Sequence, residues 1–243
     1  MPRHASFVTL LALLQRRFPA LDNPAQLIKE GAVLVDSVPA GSTQTRVRAD
    51  AAVRIRQPRP LRGTIKLAHA LTGFDLVAAG AVALDLGAAA GGFTQALLAA
   101  GAARVYAVDV GVGQLRGWLR ADPRVISLER TNLADLNPRL IGEPVDLITM
   151  DLSYLSVAGA IGQLDRRMMA PGAQLIALVK PTFELHAAAL AAGSEEVAAA
   201  VDAAAGALER HGWHVRGQLP SPIRGAKGAV EVLVHATLEP HAP

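Results

Sequence analysis

Two charged residues stand where apolar runs end. Lys180 closes six largely apolar residues in LIALVKPTFE, and Asp151 closes the run in LITMDLSY. A lysine in such surroundings needs an acidic partner or gives up its proton, and Asp151 is the obvious partner. If both runs are parallel strands, their carboxyl ends open on one ligand crevice. A lysine–carboxylate pair there is either a structural ion pair or a group that handles a proton. Glu231, in VEVLVHA, lies among apolar neighbours and needs a cation if it points inward. Lys66, in RGTIKLAHAL, reads by itself as a helix-surface lysine.

A second constellation is the run LDLGAAAGGFT, Leu84 to Thr94. An apolar segment ends on Asp85, a turn follows with Gly87, Gly91 and Gly92, and a helical pattern starts at Phe93. Strand, glycine turn and helix build a nucleotide-type pocket at the end of a parallel strand. Glycine there lets the backbone approach a ligand that a β-carbon would hold off. The spacing differs from the dinucleotide GxGxxG and is similar to the first motif of S-adenosylmethionine methyltransferases. Asp109 ends VYAVD, where an acid can bind two ribose hydroxyls or simply end a strand in a turn. Asn132, in ERTNL, either faces an adenine edge or serves a turn.

The elements that must position these residues alternate from Ala81 onward. Strands are predicted at 82–85, 104–109, 125–128, 145–151 and 174–180. Helices are predicted at 93–100, 114–120, 156–169 and 195–211, and a closing antiparallel strand pair at 214–219 and 229–236. This alternation implies an α/β parallel sheet with helices on both faces. Ahead of it, residues 5–56 read as a small α+β unit. One helix carries Leu10, Leu11, Leu13, Leu14 and Phe18. A second starts with Asn23 as N-cap and Pro24 in its first turn. A strand follows at 32–35, a turn at 39–41, and a strand at 47–55 with alternating arginines. The expected division is 1–57, then a linker and first helix at 58–80, then 81–243.

Composition narrows the classes. The 243 residues contain no cysteine, which excludes disulfides, thiolate zinc sites and cysteine nucleophiles. Aromatic residues make up 4%, too few for a large base-stacking platform. No apolar run approaches the roughly 20 residues of a membrane span. The apolar stretch 7–14 behind Arg3 is followed by Gln15, Arg16 and Arg17 rather than a small-residue cleavage site, so a cytoplasmic protein is expected. Residues 1–66 carry eleven Lys and Arg against four acids, a net +7, while the other 13 bases and 17 acids give the remainder −4. A basic module of this kind either neutralises phosphates or forms a solvated face.

Lys66, Asp151, Lys180 and Glu231 occur in the order of the K-D-K-E tetrad of FtsJ-like ribose 2′-O-methyltransferases. The chain resembles the haemolysin A (TlyA) family, which joins an S4-like RNA-binding domain to that methyltransferase. The similar segments include RGTIKL, ALDLGAAAGGFTQALL, VYAVDVGVGQL, DLITMDLSYLS, LVKPTFE and SPIRGAKGAVEVLVH. The resemblance implies a Rossmann-like, mostly parallel seven-stranded sheet behind a small α+β S4-like domain. It implies S-adenosylmethionine as cofactor, no metal, and a ribose 2′-hydroxyl of ribosomal RNA, a cytidine, as acceptor, with ribosomal subunits as partners. Lys180 would be the base or alkoxide-stabilising cation, oriented by Asp151, while Lys66 and Glu231 position the hydroxyl. Asp85, Gly87, Gly91, Gly92, Phe93, Thr94, Asp109 and Asn132 would contact the cofactor. Arg46, Arg48, Arg54, Arg56 and Arg62 would meet RNA phosphates. The chain departs from the family at Ala89 and Ala90, where a Ser-Thr pair is usual, at Thr64 and Ser37 for glycine, and at Ala229 for asparagine. The lost hydroxyls leave a catalytically weak RNA-binding or ribosome-assembly protein as the alternative. The family's name also suggests a membrane-active cytolysin, for which no spanning segment is present.

Overall fold

The computed structural model describes residues 6–21, 23–55, 60–185, 194–225 and 228–239. The chain divides between Pro60 and Leu61 into two compact units.

The smaller unit contains β1 (Phe7–Thr9), α1 (Leu10–Arg17), α2 (Pro24–Lys29), β2 (Val33–Val35), β3 (Val38–Pro39), β4 (Arg46–Arg48) and β5 (Val53–Ile55). Thr9 caps α1 by accepting the Ala12 N–H, and Asn23 caps α2 by accepting that of Gln26. Leu10, Leu13 and Leu14 share one face of α1 and pack with Ile28, Val33 and Val47. The single strand expected at 47–55 is two strands in different sheets. β4 pairs with β1, and β5 pairs with β2. The turn at Arg48–Ala51 breaks it, fixed by the Ala51 N–H to Arg48 carbonyl bond and by Asp50 holding the Arg48 guanidinium. The turn expected at 39–41 lies earlier, at Asp36 and Ser37, both with positive φ (48° and 72°). Asp36 offsets that strain by accepting the Ala52 N–H at 3.0 Å.

The larger unit starts with α3 (Arg62–Gly73). It continues with β6 (Val82–Leu86), α4 (Gly92–Ala99), β7 (Arg104–Asp109), α5 (Gly117–Arg120), β8 (Val125–Glu129), α6 (Pro138–Ile141) and β9 (Val145–Met150). Then come α7 (Val157–Ile161), β10 (Met169–Val179), α8 (Pro181–Glu184), α9 (Glu195–Arg210), β11 (Trp213–Pro220) and β12 (Val232–Leu238). Seven strands form one sheet in the order β11-β12-β10-β9-β6-β7-β8. The five from β10 to β8 run parallel; β12 pairs antiparallel with both β10 and β11. The order reverses between β6 and β9, so the crevice at their carboxyl ends is the topological switch point, where such sheets bind ligands.

Strand alternation sends side chains to two apolar layers. Leu84, Leu86, Leu175, Ala177 and Val179 pack with the α9 stripe of Val201, Ala204 and Leu208. Ala83, Ile176 and Leu178 face the opposite layer, with Leu67 and Leu71 of α3 and Leu97 of α4.

Two helix expectations shrink. Residues 114–120 give only α5, because Gly113 takes φ 68° and Arg116 is extended. Residues 156–169 give α7, then a separate 3-10 turn at Arg166–Met168 capped by Asp165. β10 starts at Met169, well before 174, and absorbs Pro171 and Gly172 in a register shift. In the last strand, residues 229–231 belong to the preceding turn, closed by the Gly225 N–H to Ala229 carbonyl bond.

Candidate active site

A cleft of about 560 Å³ opens at the switch point. Its floor is backbone. Gly87 follows β6 at φ 82°, and a β-carbon there would stand 2.6 Å from the Asp151 carbonyl oxygen. Gly91 sits at φ 94° and starts α4. Gly92 meets Gly63 of α3 backbone to backbone, with a β-carbon on Gly92 falling 2.8 Å from Gly63 Cα. Thr64 reinforces this crossing, its single hydroxyl proton shared between the Gly92 carbonyl (2.9 Å) and Gln95 Oε1 (2.7 Å). The hydroxyl thus gives a function to a position where the family usually has glycine.

Two lysine–carboxylate pairs face the cleft. Lys180 follows β10 and places Nζ 2.7 Å from Asp151 Oδ1. The same ammonium donates to the Leu152 carbonyl (2.7 Å) and to Ser153 Oγ (3.2 Å). Those two bonds use two of the three donors of the ammonium, and the Asp151 contact is an ion pair without a directed hydrogen bond. Lys66 projects from α3 and places Nζ 2.6 Å from Glu231 Oε2. Both side chains are more than nine-tenths buried. The ammonium approaches Oε2 off the hydrogen-bonding direction, so this oxygen has an ion-pair contact but no directed bond. Lys66 is therefore not the surface residue its local sequence suggests. The antiparallel register of Val179 against Val232 brings Glu231 beside Lys180.

The other expected contacts divide into two groups. Phe93 lines the cleft with Gly87 and Gly92. Asp85 and Thr94 have no exposed surface, so their side chains do not reach a ligand. Thr94 Oγ1 donates to Asp85 Oδ2 at 2.6 Å, and Thr149 Oγ1 donates to Oδ1 at 3.0 Å. The three fasten the start of α4 to β6 and β9 from beneath. Asp109 Oδ2 accepts the Ala89 N–H (2.8 Å), and Oδ1 accepts the Gly111 N–H (2.7 Å). That bond holds Ala89, a non-glycine at φ 45°, in its left-handed conformation. Asn132 lies near Asp109, since the adjoining Thr131 N–H bonds to the Asp109 carbonyl. Neither Asp109 nor Asn132 lines the main cleft. Arg62 stands at the cleft wall, whereas Arg46, Arg48 and Arg54 lie exposed on β4 and β5 of the smaller unit. Arg56 lies outside the described residues. Sequence reasoning missed Gly63, Ser153 and the Leu152 carbonyl; the Ser two residues after Asp151 was the one available sign.

Burial pushes the Asp85 carboxyl up to about 6, against the two threonine hydroxyls that favour its charge. A raised folded-state value means stability fully present below about pH 4 and lost as pH rises through 6. The loss is about 3 kcal/mol for a shift of this size. Asp85→Asn is expected to remove it, so the stability of the variant relative to wild type rises between pH 4 and 7. Denaturant unfolding across that range checks this; a difference independent of pH refutes it.

Among the described residues no cluster of three His, Asp or Glu side chains is placed to hold a metal ion, and no helix is long and apolar enough to cross a membrane.

Comparison with known proteins places this architecture. The profile of the FtsJ-like methyltransferases matches residues 60–238. The 16S/23S rRNA (cytidine-2′-O)-methyltransferase TlyA of Mycobacterium tuberculosis is 40% identical over 216 residues, 85% of this chain and 80% of that protein. Hemolysin A of Brachyspira hyodysenteriae is 30% identical over 220 residues, 86% of this chain and 90% of that protein. A solved structure of a Streptococcus thermophilus protein named as a hemolysin superposes with a TM-score of 0.70 at 27% identity, covering 98% of this chain and 90% of its own. With the matched region spanning the glycine turn, both ion pairs and the whole seven-stranded sheet, the chain belongs to the FtsJ-like methyltransferase family.

Proposed function

We propose that the protein methylates a ribose 2′-hydroxyl of cytidine in ribosomal RNA, using S-adenosylmethionine. The observation that carries this reading is the pairing of two lysine–carboxylate contacts on one cleft beside the glycine turn. The cleft fits the cofactor. The turn from Gly87 to Ala90 lines it with backbone and small side chains, and Asp109, which holds the Ala89 N–H, is placed to receive a ribose. When bound, the cofactor supplies a methyl group on a sulfonium, a leaving group that needs no further activation.

The remaining task is alignment and the fate of one proton. A neutral ribose hydroxyl is a poor nucleophile. As the new O–C bond forms and the C–S bond breaks, the hydroxyl proton must leave. Lys180 takes it as a neutral amine, or as an ammonium stabilises the developing alkoxide while water takes the proton. With two donors engaged, the ammonium meets the incoming oxygen through its third or by giving up a partner. Ser153 Oγ, at 3.2 Å, is the longer of the two bonds. Asp151 fixes the lysine, and the Lys66–Glu231 pair beside it positions the hydroxyl.

The smaller unit serves as the S4-like RNA-binding domain. Arg46 and Arg54 present exposed guanidiniums for phosphates, while Arg48 is partly neutralised by Asp50 at 2.8 Å. Ribosomal subunits as substrates make the protein cytoplasmic.

The test is transfer of labelled methyl to purified small and large ribosomal subunits. Label is expected in alkali-resistant dinucleotides, the signature of a blocked 2′-oxygen. Label on a base, or none in either subunit, overturns the reading.

A further inference from the structure

The two elements that hold the Lys66–Glu231 pair also carry two arginines. On α3, Arg62 precedes Lys66 by four residues and shares its face. On the turn between β11 and β12, Arg224 precedes Gly225, which packs directly against the Glu231 carboxylate. The Arg62 guanidinium donates to the Arg224 carbonyl, bracing the helix against this turn. Arg224 Nη1 donates to the Gly228 carbonyl at 3.3 Å. Both side chains are exposed, and Arg62 lines the cleft wall.

The charges differ between the inner and outer pairs. Lys66 and Glu231 cancel, as do Lys180 and Asp151. Among the described residues neither Arg62 nor Arg224 meets a carboxylate, and the partners of both are neutral carbonyls. The cleft wall at Arg62 and the exposed turn it touches at Arg224 therefore carry two uncompensated guanidiniums, each with donors to spare.

We propose that Arg62 and Arg224 form a phosphate subsite for the 3′-phosphodiester of the methylated nucleotide. The inference rests on the proposed ribose 2′-hydroxyl as acceptor and adds what must lie next to it. In RNA only two ring carbons and one oxygen separate the 2′-oxygen from the 3′-phosphorus. A hydroxyl held at Lys180 and Lys66 therefore brings a phosphate to the rim of the cleft. Arginine suits this place because its planar fork binds phosphate oxygens in pairs. The bracing bond from Arg62 holds the two cationic elements together before RNA arrives, which lowers the ordering cost of binding.

Arg62→Gln and Arg224→Gln test the subsite in the full-length protein. With labelled S-adenosylmethionine and the ribosomal subunit that accepts methyl, each variant is expected to raise KM for RNA about tenfold, with the loss falling on KM rather than kcat. The dependence of log KM on log salt should flatten by roughly 0.7–0.9 per variant, one phosphate contact each. Cofactor affinity and melting temperature read the fold separately, and Arg224→Gln, on an exposed turn, keeps the test open if Arg62→Gln is unstable. Wild-type transfer with unchanged KM and salt slope in a folded variant overturns the subsite alone. Absence of wild-type transfer overturns the acceptor assignment, and the subsite with it.

Discussion

Lys180→Met is expected to slow methyl transfer by about 10³-fold while leaving cofactor binding nearly unchanged. The size follows from the place of the side chain. Its ammonium is paired with Asp151, and it stands at the carboxyl end of β10 on the cleft that the glycine turn lines. Methionine keeps the length and apolar stem and removes the proton-handling atom. The fold should tolerate this, because Asp151 is about a quarter exposed and can be hydrated once its partner is gone. Single-turnover transfer at saturating cofactor separates chemistry from product release. Lys180→Arg then distinguishes two roles. Arginine keeps the charge but cannot accept a proton, so substantial recovery identifies a stabilising cation and no recovery identifies a base. Full activity in Lys180→Met refutes the assignment.

Glu231→Ala is expected to be the most damaging single change to the fold, costing about 3–5 kcal/mol. Removing this carboxylate leaves the Lys66 ammonium, 8% exposed, without a countercharge at the cleft wall. A cost of that size in a unit this large lowers the melting temperature by roughly 10 °C. The corresponding change at Asp151 should cost much less, because its pair with Lys180 is better hydrated. The double variant Lys66→Met/Glu231→Leu is informative. Replacing a buried ion pair with apolar residues of similar volume is often neutral for stability, so it should recover most of the melting temperature while remaining unable to position the hydroxyl. Equal melting temperatures for Glu231→Ala and wild type would show that Lys66 finds water or another partner, against the observed burial.

What could be read in the sequence was set by local chemistry. β7 was predicted with its observed limits, and the ends of β6, β9 and β10 were located within a residue, because short apolar runs stop at a charge or a glycine. Those ends are the site, so Asp151 and Lys180 were placed by pattern alone. What could not be read depended on partners remote in the chain. Val47 to Ile55 alternates like one strand, but its halves pair with β1 and β2, and nothing local announces that split. Lys66 looks like a surface residue until Glu231 arrives from 165 positions away. The buried triad of Asp85, Thr94 and Thr149 was invisible for the same reason. Asp85 sits where a ligand contact is expected, and only the threonines on two other elements show that it points inward.

The strand order has a consequence for synthesis. β12 is made after β11 yet lies between β11 and β10, so β11 has no place in the sheet until β12 is inserted. The glycine turn and its Asp109 support are complete once residues 82–111 have emerged and folded. Glu231 arrives only with the final strand. A nascent or prematurely ended chain can therefore build the cofactor turn early, but it leaves Lys66 unpaired and the acceptor wall unbuilt. The second ion pair of the cleft therefore forms only when this hairpin closes.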